Sequence, residues 1–257
     1  VDHLLCIHDL EVPFYEPFGL KTTVIGNPAI SRHVKGNAAR FRSQHSITDT
    51  DRMVLVLPGS RPSEIKRVAP ELVMAAKRLK LDNPGLHIVF MPAGNVAAQF
   101  NQAFPDIGDW AIVSSDPASR YDAMAAADLA LACSGTVTTE LAMQDTPMIV
   151  AYKTGWITWA LARGLLYKKT HITLLNIVSD DQEIVPEFVQ TRQQADEISA
   201  MAQTWLDAPE ELAAQLDRQR QALERMKEGD RDASEIAAGV ILDMAAERSA
   251  GAISNQP

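Results

Sequence analysis

The feature that most constrains this chain is an alternation. Short, almost wholly apolar runs recur at Met53–Leu57, Leu86–Met91, Trp110–Ser114, Ala130–Cys133 and Pro147–Tyr152. Between them lie segments that suit helices: Pro62 to Lys80, residues 96–103, Ser119 to Ala127, and Val137 to about Gln144. Runs without a polar face belong in strands covered on both sides, as in parallel sheets. Strand and helix in strict turn predict an α/β fold, a doubly wound parallel sheet. Ligands of such sheets sit at the carboxyl ends of the strands.

Three turns at those ends are rich in small polar residues: Gly59-Ser60-Arg61, Gly94-Asn95 and Ser134-Gly135-Thr136. They are expected to face one crevice. The last is the most informative, because it closes a buried strand and opens a helix. A helix start offers backbone N–H groups without intrahelical partners, and these meet negative charge well. Gly135 lets an anion approach the backbone. Glu140 follows Thr136 by four residues, on the same helical face. A carboxylate there would repel phosphate but suit a ribose diol one turn deeper, so the stretch describes a nucleotide-sugar site. The plain alternative is a helix cap and nothing more. Arg61, at the end of the first strand, could clamp a diphosphate and stabilise it as a leaving group. Glu64 is placed to hold it. Asn176 could contact phosphate or sugar, or be an ordinary turn asparagine.

Composition narrows the classes. The 257 residues carry a net charge of −9, which argues against bulk nucleic-acid binding. Cys6 and Cys133 have no metal-ligand spacing and read as reduced thiols in a cytoplasmic protein. The six histidines are scattered and no catalytic triad follows from spacing. No apolar run is long enough to span a bilayer. The chain opens at Val1 directly on a strand-like run, as the later part of a longer protein would.

Residues 153–169 are apolar and aromatic with a basic end, and suit either an interfacial helix or a core helix. From about Asp196 to Ser249 the chain is helical and highly charged, divided by Pro209 and Gly229. The expected organisation is 1–28 as the end of one domain and a crossover, 29–195 as the sheet domain, 196–250 as C-terminal helices and 251–257 as a disordered tail.

Several of these residues together resemble the lipid-A-disaccharide synthase family. The matching stretches are Val54 to Arg61 with Glu64 and Ile65, Ser134-Gly135-Thr136 with Glu140, and Pro147 to Tyr152. Thr158 to Ala162, Asn176 with Val185-Pro186-Glu187, and the opening Val1 to Ile7 with Glu11 and Tyr15 add to them. The resemblance covers about residues 1–190. It implies a GT-B glycosyltransferase whose C-terminal Rossmann-like domain binds UDP through Gly59, Ser60, Arg61, Ser134, Gly135, Thr136, Glu140 and Asn176. It implies transfer of 2,3-diacylglucosamine from its UDP donor to 2,3-diacylglucosamine 1-phosphate, with inversion and without a metal or cofactor. It also implies a peripheral site on the cytoplasmic face of the inner membrane. The charged C-terminal helices could mediate self-association as a homo-oligomer, or return to pack on the family's missing N-terminal domain. That domain, the source of much of the acceptor site and the general base, lies outside this sequence. The fragment is therefore expected to bind nucleotide and to turn over poorly.

The chain departs from the family pattern at three places. Asn27 stands for a usual histidine, Asp145 for a helix-ending glycine, and Asp180-Asp181 lies in a loop of different pattern after Asn176. The rival readings are another GT-B enzyme acting on a UDP-sugar, such as an epimerase, and a nucleotide-binding module without catalysis.

Overall fold

The computed structural model describes residues 1–31, 33–153, 170–192, 194–227 and 231–254. The chain forms two compact units, Val1–His33 with Leu223–Pro257, and Val34–Ala222. In the smaller unit β1 (His3–Cys6) pairs in parallel with β2 (Lys21–Val24). Ile25 packs there with Ala233 and Ile236 of the helix Ala233–Ser254. Residues 251–254, expected in a disordered tail, are the end of that helix, and 255–257 lie outside the described residues.

The larger unit begins with α1 (Ala38–Gln44) and β3 (Met53–Leu57). Then come α2 (Pro62–Arg67), α3 (Ala69–Asp82), β4 (His87–Phe90) and α4 (Ala97–Ala103). β5 (Ile112–Val113), α5 (Arg120–Ala126), β6 (Leu129–Cys133), α6 (Val137–Met143) and β7 (Met148–Tyr152) follow. α7 (Leu174–Val178), β8 (Glu187–Val189), α8 (Ala195–Asp207) and α9 (Pro209–Arg225) complete the list, α9 through Ala222 lying in this unit. The helices at 195–222 thus belong with the sheet rather than to a separate C-terminal segment.

The six strands are parallel, in the order β5-β4-β3-β6-β7-β8. The chain steps outward from β3 in one direction, returns, and steps outward in the other. The reversal falls between β3 and β6, which is where doubly wound sheets bind ligands. Both strands are buried at every position, as their unbroken apolar sequences require. Burying Val54, Leu55 and Val56 alone is worth about 1.5–3 kcal/mol each.

Two elements differ from the sequence reading. The single helix expected over Pro62 to Lys80 is broken at Val68. Pro70 has no N–H for the Lys66 carbonyl, and its ring disfavours helical continuity through the residue before it. The strand β8 was not expected, because Pro186 and the carboxylate of Glu187 interrupt its apolar pattern. It forms because that carboxylate is buried with donors of its own: the N–H groups of Ile172 (2.9 Å) and Thr173 (2.6 Å) and the Asn176 amide (2.9 Å). The segment 153–169 lies, apart from Lys153, outside the described residues.

Candidate functional site

The turn after β3 is built around Glu64. Its buried carboxylate reaches back one helical turn and accepts from the N–H groups of Ser60 (2.8 Å) and Arg61 (3.1 Å). Arg61 Nη1 donates to its other oxygen at 3.2 Å. A Cβ on Gly59 would lie 2.6 Å from Glu64 Cβ and 2.8 Å from Oε2, and Gly59 has φ 129°, so glycine is required on both counts. The neighbouring turn is stitched on. Asn95 Nδ2 donates to the Ser60 carbonyl at 2.8 Å, and Gln99 Nε2 to the Pro62 carbonyl at 3.2 Å.

Across from it, β6 ends in Ser134 and Gly135. Ser134 N–H still bonds the Ala151 carbonyl of β7 at 3.1 Å, so the ladder holds the loop up to the point where it turns away. Thr138 donates its hydroxyl to the Gly135 carbonyl at 2.8 Å, and α6 starts at Val137. Thr138 and Thr139 are buried. Thr136, at the N-cap of α6, makes no side-chain capping bond.

Between these turns lies a cleft of about 200 Å³. Gly59, Ser60, Ser134, Gly135 and Thr136 all line it, and Ala93 and Gly94 supply part of the wall. Three turns expected to converge do so. Arg61 stands beside the cleft, with its side chain 72% exposed and its guanidinium turned to Glu64. Glu140 lies one turn behind Thr136, with its carboxylate in an ion pair to Arg120. Burial pushes the Glu140 carboxyl above the usual range, and the Arg120 charge pulls it partly back. Cys133, on the wall, is pushed far up by burial and then by Glu64, so it remains a thiol.

Asn176 is not brought to the cleft, which corrects its place among the ligand-contacting residues. It is fully buried, and its amide is committed within the protein. Nδ2 donates to the Val185 carbonyl (2.8 Å) and to Glu187 (2.9 Å), while Oδ1 accepts from the N–H groups of Ile184 (2.9 Å) and Val185 (2.8 Å). Its work is to fasten α7 to β8. Conversely, sequence reasoning missed Ser115 and Asp116, which line the cleft from the loop after β5, and Arg120, which lines it from the start of α5. The available signal was the Ser114-Ser115-Asp116-Pro117 turn, another small polar cluster at a strand end.

A parallel sheet reversing between β3 and β6, with its cleft at the reversal, makes the larger unit a Rossmann-like domain. The S. aureus MnaA–UDP structure shares this fold, with a TM-score of 0.64 at 14% identity over 95% of this chain and 61% of that one. So does WaaG, a glycosyltransferase involved in lipopolysaccharide biosynthesis, with 0.52 at 14% over 92% and 62%. The family described as lipid-A-disaccharide synthetase matches residues 1–241. The lipid-A-disaccharide synthase of Rhodospirillum centenum is 31% identical over 249 residues, 96% of this chain. This chain belongs to the lipid-A-disaccharide synthase family. It spans 62% of that relative's length.

Proposed function

We propose that this chain supplies the UDP-sugar side of a lipid A glycosyltransferase. The reaction is transfer of 2,3-diacylglucosamine from UDP to 2,3-diacylglucosamine 1-phosphate. The observation that carries the reading is the cleft at the sheet's reversal point, walled by the Gly59–Ser60 and Ser134–Thr136 turns. The Gly135–Thr136 turn at the start of α6 suits the diphosphate, and Glu140 suits the ribose. Arg61, exposed beside the cleft, would swing from Glu64 to the diphosphate as it departs. In the transfer the acceptor hydroxyl oxygen forms a bond to the donor's anomeric carbon. The bond from that carbon to the β-phosphate oxygen breaks on the opposite face, giving inversion. The hydroxyl proton passes to a general base, which this reading places outside this chain. Family membership supports the lipid acceptor, and the acylated substrates support a peripheral place on the cytoplasmic face of the inner membrane. No described helix is long and apolar enough to cross a membrane.

Calorimetric titration of this chain with UDP, uridine, ADP and GDP tests the reading. UDP is expected to bind more tightly than the other three. Equal affinity for UDP, ADP and GDP, or no binding of any, would refute it. Arg61→Ala is expected to weaken UDP more than uridine.

A further inference from the structure

The Arg120–Glu140 pair ties a residue that lines the cleft to the glutamate one turn behind Thr136, and the sequence reading gave Arg120 no part in it. Arg120 lines the cleft, where it stands among the lining residues with two carboxylates, Glu64 and Asp116. It opens α5, and that helix is anchored without it. Asp122 accepts from the N–H of Asn37 at 2.7 Å and from Arg40 Nε at 2.5 Å. Gly36 passes so close to Tyr121 that a Cβ would come within 2.0 Å of its carbonyl oxygen. The backbone of Arg120 is thus fixed by its neighbours, and its guanidinium is free to serve the cleft. That guanidinium goes to Glu140, whose side chain is only 20% exposed.

We propose that Arg120 is a positioning residue for a nucleoside ribose, holding the Glu140 carboxylate in place one turn behind Thr136, where a 2′,3′-diol can donate both hydroxyls to it. The inference rests on the nucleotide reading above. A carboxylate is the right acceptor for a diol because it offers two oxygens and no proton. Burial works against that charged form, and Arg120 works for it. Lys35 Nζ reaches the far end of α6, at the Met143 carbonyl (3.4 Å), and the strands and helix packed most closely on α6 carry no charged side chain. β6 brings the Cys133 thiol, β7 the Tyr152 phenol, and α7 no ionisable side chain. A guanidinium committed in this way would also present little net charge to a diphosphate, so its effect is expected at the ribose.

The test is titration of the full chain with UDP, 2′-deoxy-UDP and uridine between pH 5.5 and 8.5. The proteins are the wild type, Arg120→Met, Arg120→Lys and Arg120→Met with Glu140→Gln. The wild type is expected to prefer UDP to 2′-deoxy-UDP by about tenfold, the scale of one hydrogen bond to a charged group. Arg120→Met should lose most of that preference. Its affinity for UDP should fall with decreasing pH from a higher midpoint than the wild type's, because Glu140 protonates more easily. Arg120→Lys should recover much of the preference. Adding Glu140→Gln should remove the midpoint shift, leaving only the titration of the UDP terminal phosphate that every variant shares. A wild-type preference and a wild-type pH profile in Arg120→Met would overturn the proposal, as would weakened UDP binding with uridine unaffected. Absence of UDP binding by the wild type would instead overturn the nucleotide reading, and this inference with it.

Discussion

Gly59→Ala is the substitution whose effect follows most directly from the geometry. The new methyl would sit 2.6 Å from Glu64 Cβ and 2.8 Å from its Oε2. Glu64 has to move, and it surrenders the Ser60 and Arg61 N–H groups it accepts at 2.8 and 3.1 Å. Hydrogen bonds to a charged acceptor are worth about 1.5 kcal/mol each at the low end. Holding alanine at φ 129° costs a further 1–2 kcal/mol or so. The expected loss is about 4 kcal/mol, a large share of the roughly 5–15 kcal/mol that keeps a domain folded. Urea unfolding of the two single variants and the double variant with Glu64→Ala measures it. With Glu64 already truncated, the same glycine substitution should cost only the backbone part, about 1–2 kcal/mol, which gives a coupling of about 2–3 kcal/mol. Equal losses in both backgrounds would refute the claim that Glu64 is what excludes a side chain at 59.

Asn176→Ala should destabilise the larger unit by about 3 kcal/mol, since it strips partners from the buried Ile184, Val185 and Glu187 groups, while the ratio of UDP to uridine affinity stays unchanged. Denaturant unfolding beside nucleotide titration separates the two effects, and a changed ratio would return Asn176 to the cleft. Asp181 gives a pH dependence. Burial alone would raise its carboxyl, but the Thr170 and His171 N–H groups and the His171 ring hold it down to about 2. A carboxyl more acidic folded than unfolded stabilises the fold above its unfolded value and loses that contribution as pH falls, here from about 4 to about 2. After allowance for solvent screening, the wild type should lose on the order of 1 kcal/mol more than Asp181→Asn over that window, measured by urea midpoints.

The alternation of apolar runs and helices made the doubly wound sheet legible, because a strand buried on both faces has no polar positions to disguise it. β8 was illegible for the opposite reason: Glu187 is a charged residue in a strand, and only tertiary donors from Ile172, Thr173 and Asn176 make it acceptable there. The same network explains why Asn176 looked like a ligand contact. A polar residue in a loop-like stretch gives no sign of whether its partners lie in solvent, ligand or protein. Asp145 stands where a glycine is usual, and its φ of 57° shows that the left-handed conformation is kept. Its carboxylate pairs with Lys35 and with Arg220 (2.8 Å), contacts that offset the cost of that conformation and join positions about 110 and 75 residues apart. No local pattern could have revealed them.

The two arginines of the site are both paired to glutamates, yet the pairings are not equivalent. Glu64 keeps two backbone N–H donors when Arg61 leaves, so breaking that contact strands no charge. An i,i+3 pair with an arginine 72% exposed is worth only about 0.3–0.5 kcal/mol. Arriving diphosphate can therefore recruit Arg61 at almost no cost. Arg120 is the partner that offsets burial at Glu140, and removing it leaves a mostly buried carboxylate without compensation. On the proposed reading, the site has a movable guanidinium for charge that develops on a leaving group and a fixed one for a diol that does not change during the reaction. On that reading an acidic chain of net charge −9 can hold an anion because both glutamates, Glu64 and Glu140, are already paired before the ligand arrives.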